Sequence, residues 1–365
     1  MLDAHGKAKN KLSQVFSHPD SVCPDSSVVE QASGFLAARY VADKIDKDVS
    51  VADLTAGLGV NTYWFSRRAA RVFAVELDEH RARVLEHNLS LEGVRNVTVV
   101  CADCLEWLKD SSACFQTAYA DPARRSNSGR FFLLKDCSPD VDLILEYLKC
   151  RKNSTPCSRL LVKVSPLLDI HDTLNKYPDI RAVDIIESNR EVKELLLDFH
   201  LEAPSLKAPV VIRCAVLTET STEIFEIQDP MKFKDYSIPL LVSKKELQPE
   251  GYIYEPSPAF MKAQAFAFLH SLFPQVKKLG ANTHLFYSNA KIEGFPGRAF
   301  RIKGLLQSSD LKKLKGSSFC VVSRNHPATA QELTDRFGLS SSDSAFLIAC
   351  TVGKDKTIVS CEKVF

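Results

Sequence analysis

Four acidic residues, each just past a predicted strand, carry the most informative chemistry in the sequence. Asp53 ends a short apolar segment and is followed by a loop that contains Gly57 and Gly59. Glycine lets the backbone turn tightly and approach a ligand that a Cβ atom would push away. Glu76 ends the next apolar segment, 23 residues after Asp53. An acidic residue at about this distance accepts hydrogen bonds from ribose hydroxyls, so the pattern predicts a nucleotide-like ligand.

Two common nucleotide-binding loops do not match this stretch. The dinucleotide fingerprint needs a third glycine three positions after Gly59, where Thr62 stands. Phosphate-binding loops of NTPases need Gly-Lys-Ser/Thr, which the sequence lacks. The remaining pattern, acidic-x-x-x-Gly-x-Gly, resembles the first motif of class I S-adenosylmethionine-dependent methyltransferases. The sulfonium cation and amino-acid head of that cofactor suit an acidic residue such as Asp53.

The other two acids extend the same site. Asp103 follows the predicted strand 97–101. In class I methyltransferases an acidic residue at this position commonly accepts a hydrogen bond from the adenine amino group. The predicted strand 117–120 leads to Asp121. Because ligands bind at the carboxyl ends of the strands in such sheets, we expect one shared pocket. The predicted cofactor-binding residues are Asp53, Thr55, Gly57, Gly59, Glu76, Leu77, Asp103 and Cys104.

The segment Asp121-Pro122-Ala123-Arg124-Arg125 is the predicted catalytic segment, with Asp121, Pro122 and Arg124 as its catalytic residues. Proline fixes its own φ and biases the preceding residue toward an extended backbone, so the carboxylate is expected to face the pocket. Enzymes that methylate exocyclic amines carry Asp-Pro-Pro-Tyr at this point. Here only Asp-Pro is kept, and Arg124 or Arg125 is expected to hold a phosphate or stack on a base.

These motifs imply an α/β fold with a Rossmann-like, seven-stranded sheet. Apolar segments predict seven strands, at 49–54, 71–76, 97–101, 117–120, 160–164, 182–187 and 210–217. Helices are predicted over 26–45, 140–150 and 191–199 by the spacing of apolar residues. The predicted organisation has four parts: an N-terminal helical segment (1–48), a methyltransferase domain (49–218), a ferredoxin-like domain (219–290) and a THUMP-like domain (291–365).

The C-terminal quarter differs in charge from the rest of the chain. Residues 291–365 contain 12 Lys/Arg and 7 Asp/Glu, a net charge of +5, whereas the whole chain carries +2. A basic segment attached to a neutral-to-acidic domain suggests a contact with a polyanion. A solvated face rich in lysine, such as Lys312-Lys313-Lys315, is the alternative interpretation.

Several segments together resemble a bacterial family of class I methyltransferases with C-terminal ferredoxin-like and THUMP-like domains. The resemblance implies S-adenosylmethionine at the glycine loop and RNA as the substrate, with tRNA favoured over rRNA, bound through residues 219–365. One departure is Ala56, where glycine is usual, and alanine is expected to fit if its φ is negative. The matching segments are Glu30-Gln31-Ala32, Asp53 to Val60, Asp121 to Arg125, Ser165 to Ile170, Tyr254-Glu255-Pro256, Phe295 to Arg298, Arg324 to Pro327 and Phe346 to Thr351.

Composition limits the classes of protein to which this chain can belong. Residues 1–11 are polar, which does not suggest a secretory signal, and no apolar run approaches the roughly 18 residues of a membrane span. The 11 cysteines are scattered; we expect free thiols, buried at Cys101, Cys214, Cys320 and Cys350, in a cytoplasmic protein that needs no metal. Two alternatives remain open: a methyltransferase for a small molecule or protein, whose tail dimerises, and a non-catalytic RNA-binding protein. The sequence makes no prediction of oligomeric state.

Overall fold

A computed structural model of the protein describes residues 14–22, 34–124, 134–150, 156–202, 209–233 and 236–364. The chain forms two compact units, Met1–Asp229 and Pro230–Phe365. Each unit is built around its own large β-sheet. The segment Glu30-Gln31-Ala32 and Arg125 lie outside the described residues.

The sheet of the first unit has nine strands in the order β11-β10-β8-β9-β7-β4-β1-β2-β3. The central strands run parallel, so their carboxyl ends lie at one edge. Ala123–Arg124 (β5) and Cys137–Ser138 (β6) form a separate two-stranded sheet. The nine strands are Ser50–Asp53 (β1), Arg71–Glu76 (β2), Val97–Cys101 (β3), Thr117–Ala120 (β4), Arg159–Val164 (β7), Ile180–Ser188 (β8), Glu191–His200 (β9), Val211–Leu217 (β10) and Thr222–Gln228 (β11).

Six α-helices are described in this unit, and several begin at an acidic cap. The side chains of Asp78, Asp103 and Asp169 accept hydrogen bonds from amides in the first turns of the helices that follow them. Such caps satisfy donors that have no partner within the helix. The helices are Phe35–Asp43 (α1), Val60–Ser66 (α2), Glu79–Leu91 (α3), Cys104–Asp110 (α4), Val141–Cys150 (α5) and Ile170–Lys176 (α6). Of the predicted helix 26–45, the part before residue 34 lies outside the described residues.

Helix α1 packs against the sheet through a buried face that includes Tyr40 and Val41. The Tyr40 hydroxyl donates a hydrogen bond to the carboxylate of Asp184, which is 1% exposed. That carboxylate also pairs with Lys44 at 2.9 Å and with Arg213 at 3.2 Å. A buried charge is tolerated when it is paired and hydrogen-bonded in this way, so α1 has a fixed position on the sheet.

The prediction of a helix over 191–199 is wrong, because Glu191–His200 forms strand β9. Asn189 and Arg190 adopt φ values of 52° and 61°, which turn the chain directly back from β8 into an antiparallel pair. The apolar residues fit a helical period, but β9 lies between β7 and β8 and is covered on both faces. Its buried run is therefore continuous, as expected for an interior strand, and periodicity alone does not distinguish the two.

The sheet also extends beyond the predicted end of the methyltransferase domain at residue 218. Strand β10 runs parallel to β8, and β11 pairs antiparallel with β10 from Thr222 to Gln228. The seventh strand of this sheet in chain order is therefore β9, and the predicted seventh strand, 210–217, is the eighth. The first compact unit ends at Asp229.

The second unit contains one seven-stranded sheet in the order β13-β14-β12-β15-β18-β17-β16. Strand β12 pairs with β14 on one side and with β15 on the other, so the predicted domain boundary at residue 290 falls within a continuous sheet. The strands are Tyr252–Pro256 (β12), Lys277–Gly280 (β13), Thr283–Ser288 (β14), Gly297–Leu305 (β15), Cys320–Arg324 (β16), Ala345–Val352 (β17) and Asp355–Lys363 (β18).

The helices of the second unit are Pro258–Ala263 (α7), Phe266–Leu272 (α8), Ser308–Leu311 (α9) and Ala330–Phe337 (α10). Pro258 occupies the first turn of α7, where the missing amide hydrogen has no cost. Gln264 adopts a left-handed conformation and separates α7 from α8. Helix α10 begins with a capping box formed by Thr329 and Glu332 and ends at Gly338, whose φ is 57°.

Candidate active site

A cavity of about 380 Å³ opens at the carboxyl edge of the first sheet. Its size lies within the range of pockets that hold small molecules. Most of the predicted cofactor-binding residues line it: Thr55, Gly57, Gly59, Glu76, Leu77, Asp103 and Cys104. Asp121 lines the same cavity. The wall also contains residues that the sequence did not single out: Arg81, Ser138, Pro139 and Asp140.

The glycine loop between β1 and α2 requires glycine at two positions. Gly57 and Gly59 adopt φ values of 53° and 82°, which L side chains rarely adopt. A Cβ atom on Gly59 would also lie 2.1 Å from the Leu85 Cδ1 atom. Ala56 does not adopt a positive φ, so alanine fits where glycine is usual in the resembling family.

Asp53 lies behind this loop rather than in the wall of the cavity. The side chain is fully buried, and its carboxylate accepts hydrogen bonds from the Thr62 hydroxyl at 2.6 Å and the Thr55 amide at 3.3 Å. Burial raises the pKa of Asp53 to about 7, although both hydrogen bonds act in the opposite direction. Thr62, where a dinucleotide loop would carry glycine, thus ties α2 to the end of β1. The structure places Asp53 as a support of the loop.

Glu76 is 5% exposed and holds the loop from the neighbouring strand. Its carboxylate accepts hydrogen bonds from the amides of Gly57 at 2.8 Å and Asp78 at 2.9 Å, and it pairs with Arg81 at 2.8 Å. A carboxylate has about four lone-pair sites, so these three contacts leave it able to accept a ligand hydroxyl. Leu77, the next residue, is 67% exposed on the cavity wall.

Asp103 and Cys104 form the wall next to β3. One oxygen of Asp103, Oδ1, accepts hydrogen bonds from the amides of Leu105 at 2.8 Å and Glu106 at 3.2 Å. Burial, with a smaller contribution from the Asp103 charge, raises the pKa of the Cys104 thiol to about 12. A thiol with that pKa is protonated near neutral pH, so Cys104 offers a wall contact rather than a nucleophile.

Asp121 is the acidic group at the end of β4, and its side chain is 31% exposed. The Asp121 amide donates to the Thr55 hydroxyl at 2.7 Å, which ties the end of β4 to the glycine loop. Pro122 is buried behind it. The backbone of Arg124 pairs with Cys137 in the small sheet, and its side chain is not among the described features. Of the three predicted catalytic residues, Asp121 is the one whose placement in the cavity is described.

Lys163 and Glu194, which the sequence did not predict as site residues, lie in one cluster with Asp121. Lys163 pairs with both carboxylates. The Lys163 ammonium lies 2.5 Å from the Asp121 carboxylate and 3.6 Å from that of Glu194. Burial alone would lower the pKa of Lys163, but the charges of Glu194 and Asp121 reverse this effect and raise it. The sequence signal is a lysine within the otherwise apolar run Leu160 to Val164 of strand β7.

The described residues contain no group of three or more His, Cys, Asp or Glu side chains placed to hold a metal ion. Within the same part of the chain, no helix has the length and apolar character needed to span a membrane. The ten described cysteines are free. Cys214 and Cys350 are buried as predicted, whereas Cys101 is exposed and Cys320 is half-buried, because β3 and β16 are edge strands of their sheets.

Three of the motifs that carry the family resemblance in the second unit meet around one buried carboxylate. Glu255 at the end of β12 is 4% exposed and pairs with Arg298 at 2.5 Å and Arg324 at 2.7 Å. Gly297 adopts a φ of 148°, and a Cβ atom there would lie 2.0 Å from the Glu255 carbonyl oxygen. These contacts join β12, β15 and β16, so the Tyr-Glu-Pro, Phe-Pro-Gly-Arg and Arg-Asn-His-Pro segments share a structural role.

Several basic residues of 291–365 form ion pairs within the second unit. Lys291, Arg298, Arg301, Lys303 and Arg324 pair with carboxylates. Three other cations, Lys313, Lys315 and Arg336, are exposed, and a backbone hydrogen bond joins the two segments that carry them. The two lysines precede Gly316, whose amide donates at 3.2 Å to the carbonyl of Gly338, just after Arg336. We call Lys313, Lys315 and Arg336 the basic patch.

The topology and the cavity define the first unit as a class I methyltransferase fold, the fold of proteins that bind S-adenosylmethionine. In the second unit, residues 252–296 match a family model described as a ferredoxin-like domain. A crystal structure from Porphyromonas gingivalis W83, provisionally assigned as a methyltransferase, is similar to the whole chain. It has a TM-score of 0.86 and 27% identity, and the match covers 100% of this chain and 89% of that one.

Other solved structures match only part of the chain. A Streptococcus mutans protein, provisionally assigned as a methyltransferase and solved with S-adenosylhomocysteine, has 17% identity and a TM-score of 0.32. That match covers 45% of this chain and 95% of the other. TrmK of M. capricolum, also solved with S-adenosylhomocysteine, has 13% identity and a TM-score of 0.34, with coverage of 46% and 68%. A search of curated proteins finds no match.

Proposed function

We propose that the protein is an S-adenosylmethionine-dependent methyltransferase that modifies a base in RNA, with tRNA favoured over rRNA. The observation that carries this proposal is the Asp121 carboxylate in the wall of the cavity that also contains the glycine loop. We further propose that residues 291–365 are THUMP-like and present the RNA.

The cavity offers suitable partners for two polar parts of the cofactor, the ribose and the adenine. The Glu76 carboxylate, which can accept a further hydrogen bond, suits ribose hydroxyls, and Asp103 suits the adenine amino group. Gly57 and Gly59 let the backbone approach the ligand, while Asp53 and Thr62 fix the loop from behind. When bound, S-adenosylmethionine supplies an activated methyl group on a sulfonium centre.

Asp121 is proposed to orient the target nitrogen and to accept the proton that this nitrogen loses. Its carboxylate lies at the end of β4, and its amide is held by Thr55, so its backbone is fixed relative to the glycine loop. Placing two reactants in a fixed geometry removes much of the entropic cost of a bimolecular step. A proton acceptor within hydrogen-bonding distance adds about 10²–10⁴-fold to such reactions.

The basic character of the second unit supports RNA as the substrate. The basic patch consists of three exposed cations on two segments that a backbone hydrogen bond joins at the end of α10. Exposed lysine and arginine side chains bind phosphates in a manner that depends on salt and little on sequence. Selection of the nucleotide is then left to the cavity of the first unit.

The proposal is tested by supplying the purified protein with methyl-labelled S-adenosylmethionine and three acceptor pools from a strain that lacks the gene. The pools are total RNA, total protein and the small-molecule fraction. We expect label in a single nucleoside of the RNA, identified by mass spectrometry after digestion. Label in protein or in a small molecule would replace the RNA assignment, and label in none of the pools would contradict methyl transfer.

A further inference from the structure

We propose that Lys163, anchored by Glu194, is a positioning residue that holds the Asp121 carboxylate toward the cavity. This inference rests on the proposed function, because it gives Asp121 a precise orientation for accepting a proton. Neither Lys163 nor Glu194 belongs to the glycine loop or to the Asp-Pro segment, and neither lines the cavity. The two therefore act on the reaction through Asp121.

Three adjacent strands of the sheet bring these residues together. Strand β7 lies between β4 and β9. The register pairs Ala120 of β4 with Val162 of the parallel strand β7. Asp121 and Lys163 are the residues that come directly after this pair, so they lie side by side. On the other side, Glu194 comes just before the part of β9 that pairs with the end of β7. The lysine is thus the middle member of a row that crosses the carboxyl edge of the sheet.

Burial increases across this row away from the cavity. The exposed fraction of the side chain is 31% for Asp121, 11% for Lys163 and 7% for Glu194. A lysine this deep is ionised only if carboxylates face it, and both Asp121 and Glu194 do. Because the ammonium carries three donors on a flexible stem, a second partner behind it restricts its position. Glu194 supplies that restriction, and Lys163 transmits it to Asp121.

A purely structural ion pair predicts a different result from a positioning role. If Lys163 only stabilises the fold, its removal lowers stability and affects activity to the same extent whether residue 121 is aspartate or asparagine. If Lys163 positions the carboxylate, its removal matters only while that carboxylate is present. A double-mutant cycle on the turnover number separates these cases.

The experiment measures kcat and KM with total RNA from a strain that lacks the gene, using the wild type, Lys163→Met, Asp121→Asn and the double variant. We expect Lys163→Met to lower kcat by about 10²-fold, as for a displaced reacting group. The dissociation constant for S-adenosylmethionine, measured by calorimetry, should change by less than about 3-fold, since Lys163 does not line the cavity. In the Asp121→Asn background, Lys163→Met should change kcat by less than about 3-fold.

Three further variants protect the test against misfolding and non-specific effects. Lys163→Met leaves Glu194 buried without its ammonium, which can destabilise the protein. The variant Lys163→Met/Glu194→Gln removes both charges and should show the same loss of kcat, whereas Lys163→Arg should recover part of it. Lys149→Met is the matched control, since Lys149 pairs with Asp179 at 2.6 Å on the surface of the same unit. Its kcat should equal that of the wild type.

The outcomes separate the two claims. Losses of kcat that multiply in the double variant, or a Lys163→Met enzyme with the wild-type kcat, overturn the positioning role while leaving the proposed function in place. A wild type that transfers no methyl group to RNA overturns the proposed function and, with it, this inference. A strong loss in Lys163→Met that is absent in the Asp121→Asn background supports the inference.

Discussion

At the scale of single residues, the cavity depends on carboxylates with different tasks. Asp53 is fully buried behind the glycine loop, Glu76 is nearly buried and holds the loop amide, and Asp121 is partly exposed. Their partners differ accordingly: Asp53 accepts from a hydroxyl and an amide, Glu76 from two amides and a guanidinium, and Asp121 pairs with an ammonium. Similar side chains at one sheet edge are thus specialised by their partners.

Asp53 predicts a pH dependence of stability. Its folded pKa of about 7 lies above the unfolded value of about 3.9, so the folded state holds an extra proton between these values. The free energy of unfolding therefore falls as pH rises from about 4 to 7, by up to ~4 kcal/mol. Asp53→Asn should remove this contribution. Urea unfolding of both proteins across this range measures the difference, and parallel curves would show that Asp53 is ionised in the fold.

The contacts of Glu76 predict that its replacement by alanine lowers the affinity for the cofactor. Glu76→Ala removes the acceptor for the ribose hydroxyls and the partner of the Gly57 amide. A charge-assisted hydrogen bond contributes about 1.5–3 kcal/mol, so calorimetry should show a dissociation constant roughly 10- to 150-fold higher. Glu79→Ala, which removes an exposed carboxylate paired with Arg83, is the control. An unchanged affinity in Glu76→Ala would place the cofactor elsewhere.

The sequence predicts the residues whose position follows from local patterns. The glycine loop, Glu76, Asp103 and Asp121 lie at predicted strand ends, and the motif spacing is enough to bring them to one edge. Lys163 and Glu194 could not be found in this way, because their pairing depends on the arrangement of β4, β7 and β9. The position of Asp53 behind the loop is likewise a packing outcome, since spacing does not determine which way a buried carboxylate faces.

At the scale of elements, the strands that form the sheet edge differ in how clearly the sequence predicts them. The parallel strands β1 to β4 have apolar runs that end in acids, and each was predicted nearly to the residue. Strand β9 was mistaken for a helix because its apolar spacing fits both periods and its identity depends on its neighbours. The split between α7 and α8 depends on one left-handed residue, Gln264, which carries no strong breaker signal.

The basic patch predicts the salt dependence of RNA binding. Replacing Lys313, Lys315 and Arg336 by glutamine should weaken binding and flatten the plot of log affinity against log salt concentration. Each lost phosphate contact reduces the slope by about 0.7–0.9. Lys303→Gln is the control, because Lys303 already pairs with Glu362 at 2.8 Å. Fluorescence anisotropy with total tRNA provides the measurement, and an unchanged slope would exclude the patch from the RNA contact.

At the scale of the whole molecule, two units with separate sheets divide the proposed work. The first carries the cavity and the Asp121 group, and the second carries the ferredoxin-like segment and the basic patch. The predicted methyltransferase domain ends at residue 218, but β11 lies beyond that point. Antiparallel pairing at a sheet edge produces no motif, so the exact end of a unit is difficult to predict.

This division predicts the behaviour of a fragment. A protein ending at Asp229 retains all nine strands of the first sheet and should bind S-adenosylmethionine with the affinity of the full chain, but should lose most RNA binding. A fragment ending at residue 218 lacks β11 and leaves β10 as an open edge, which favours aggregation. Calorimetry and size-exclusion chromatography distinguish the two fragments. If the fragment ending at Asp229 binds RNA like the full chain, the second unit has another role.

The most direct test of the central claim is the single-turnover rate of methyl transfer to RNA by the wild type and by Asp121→Asn. The substitution keeps the shape of the side chain but removes the proton acceptor, so the rate should fall by about 10²–10⁴-fold while cofactor affinity remains nearly unchanged. Transfer by Asp121→Asn at the wild-type rate, accompanied by a lower melting temperature, would show that Asp121 only supports the fold.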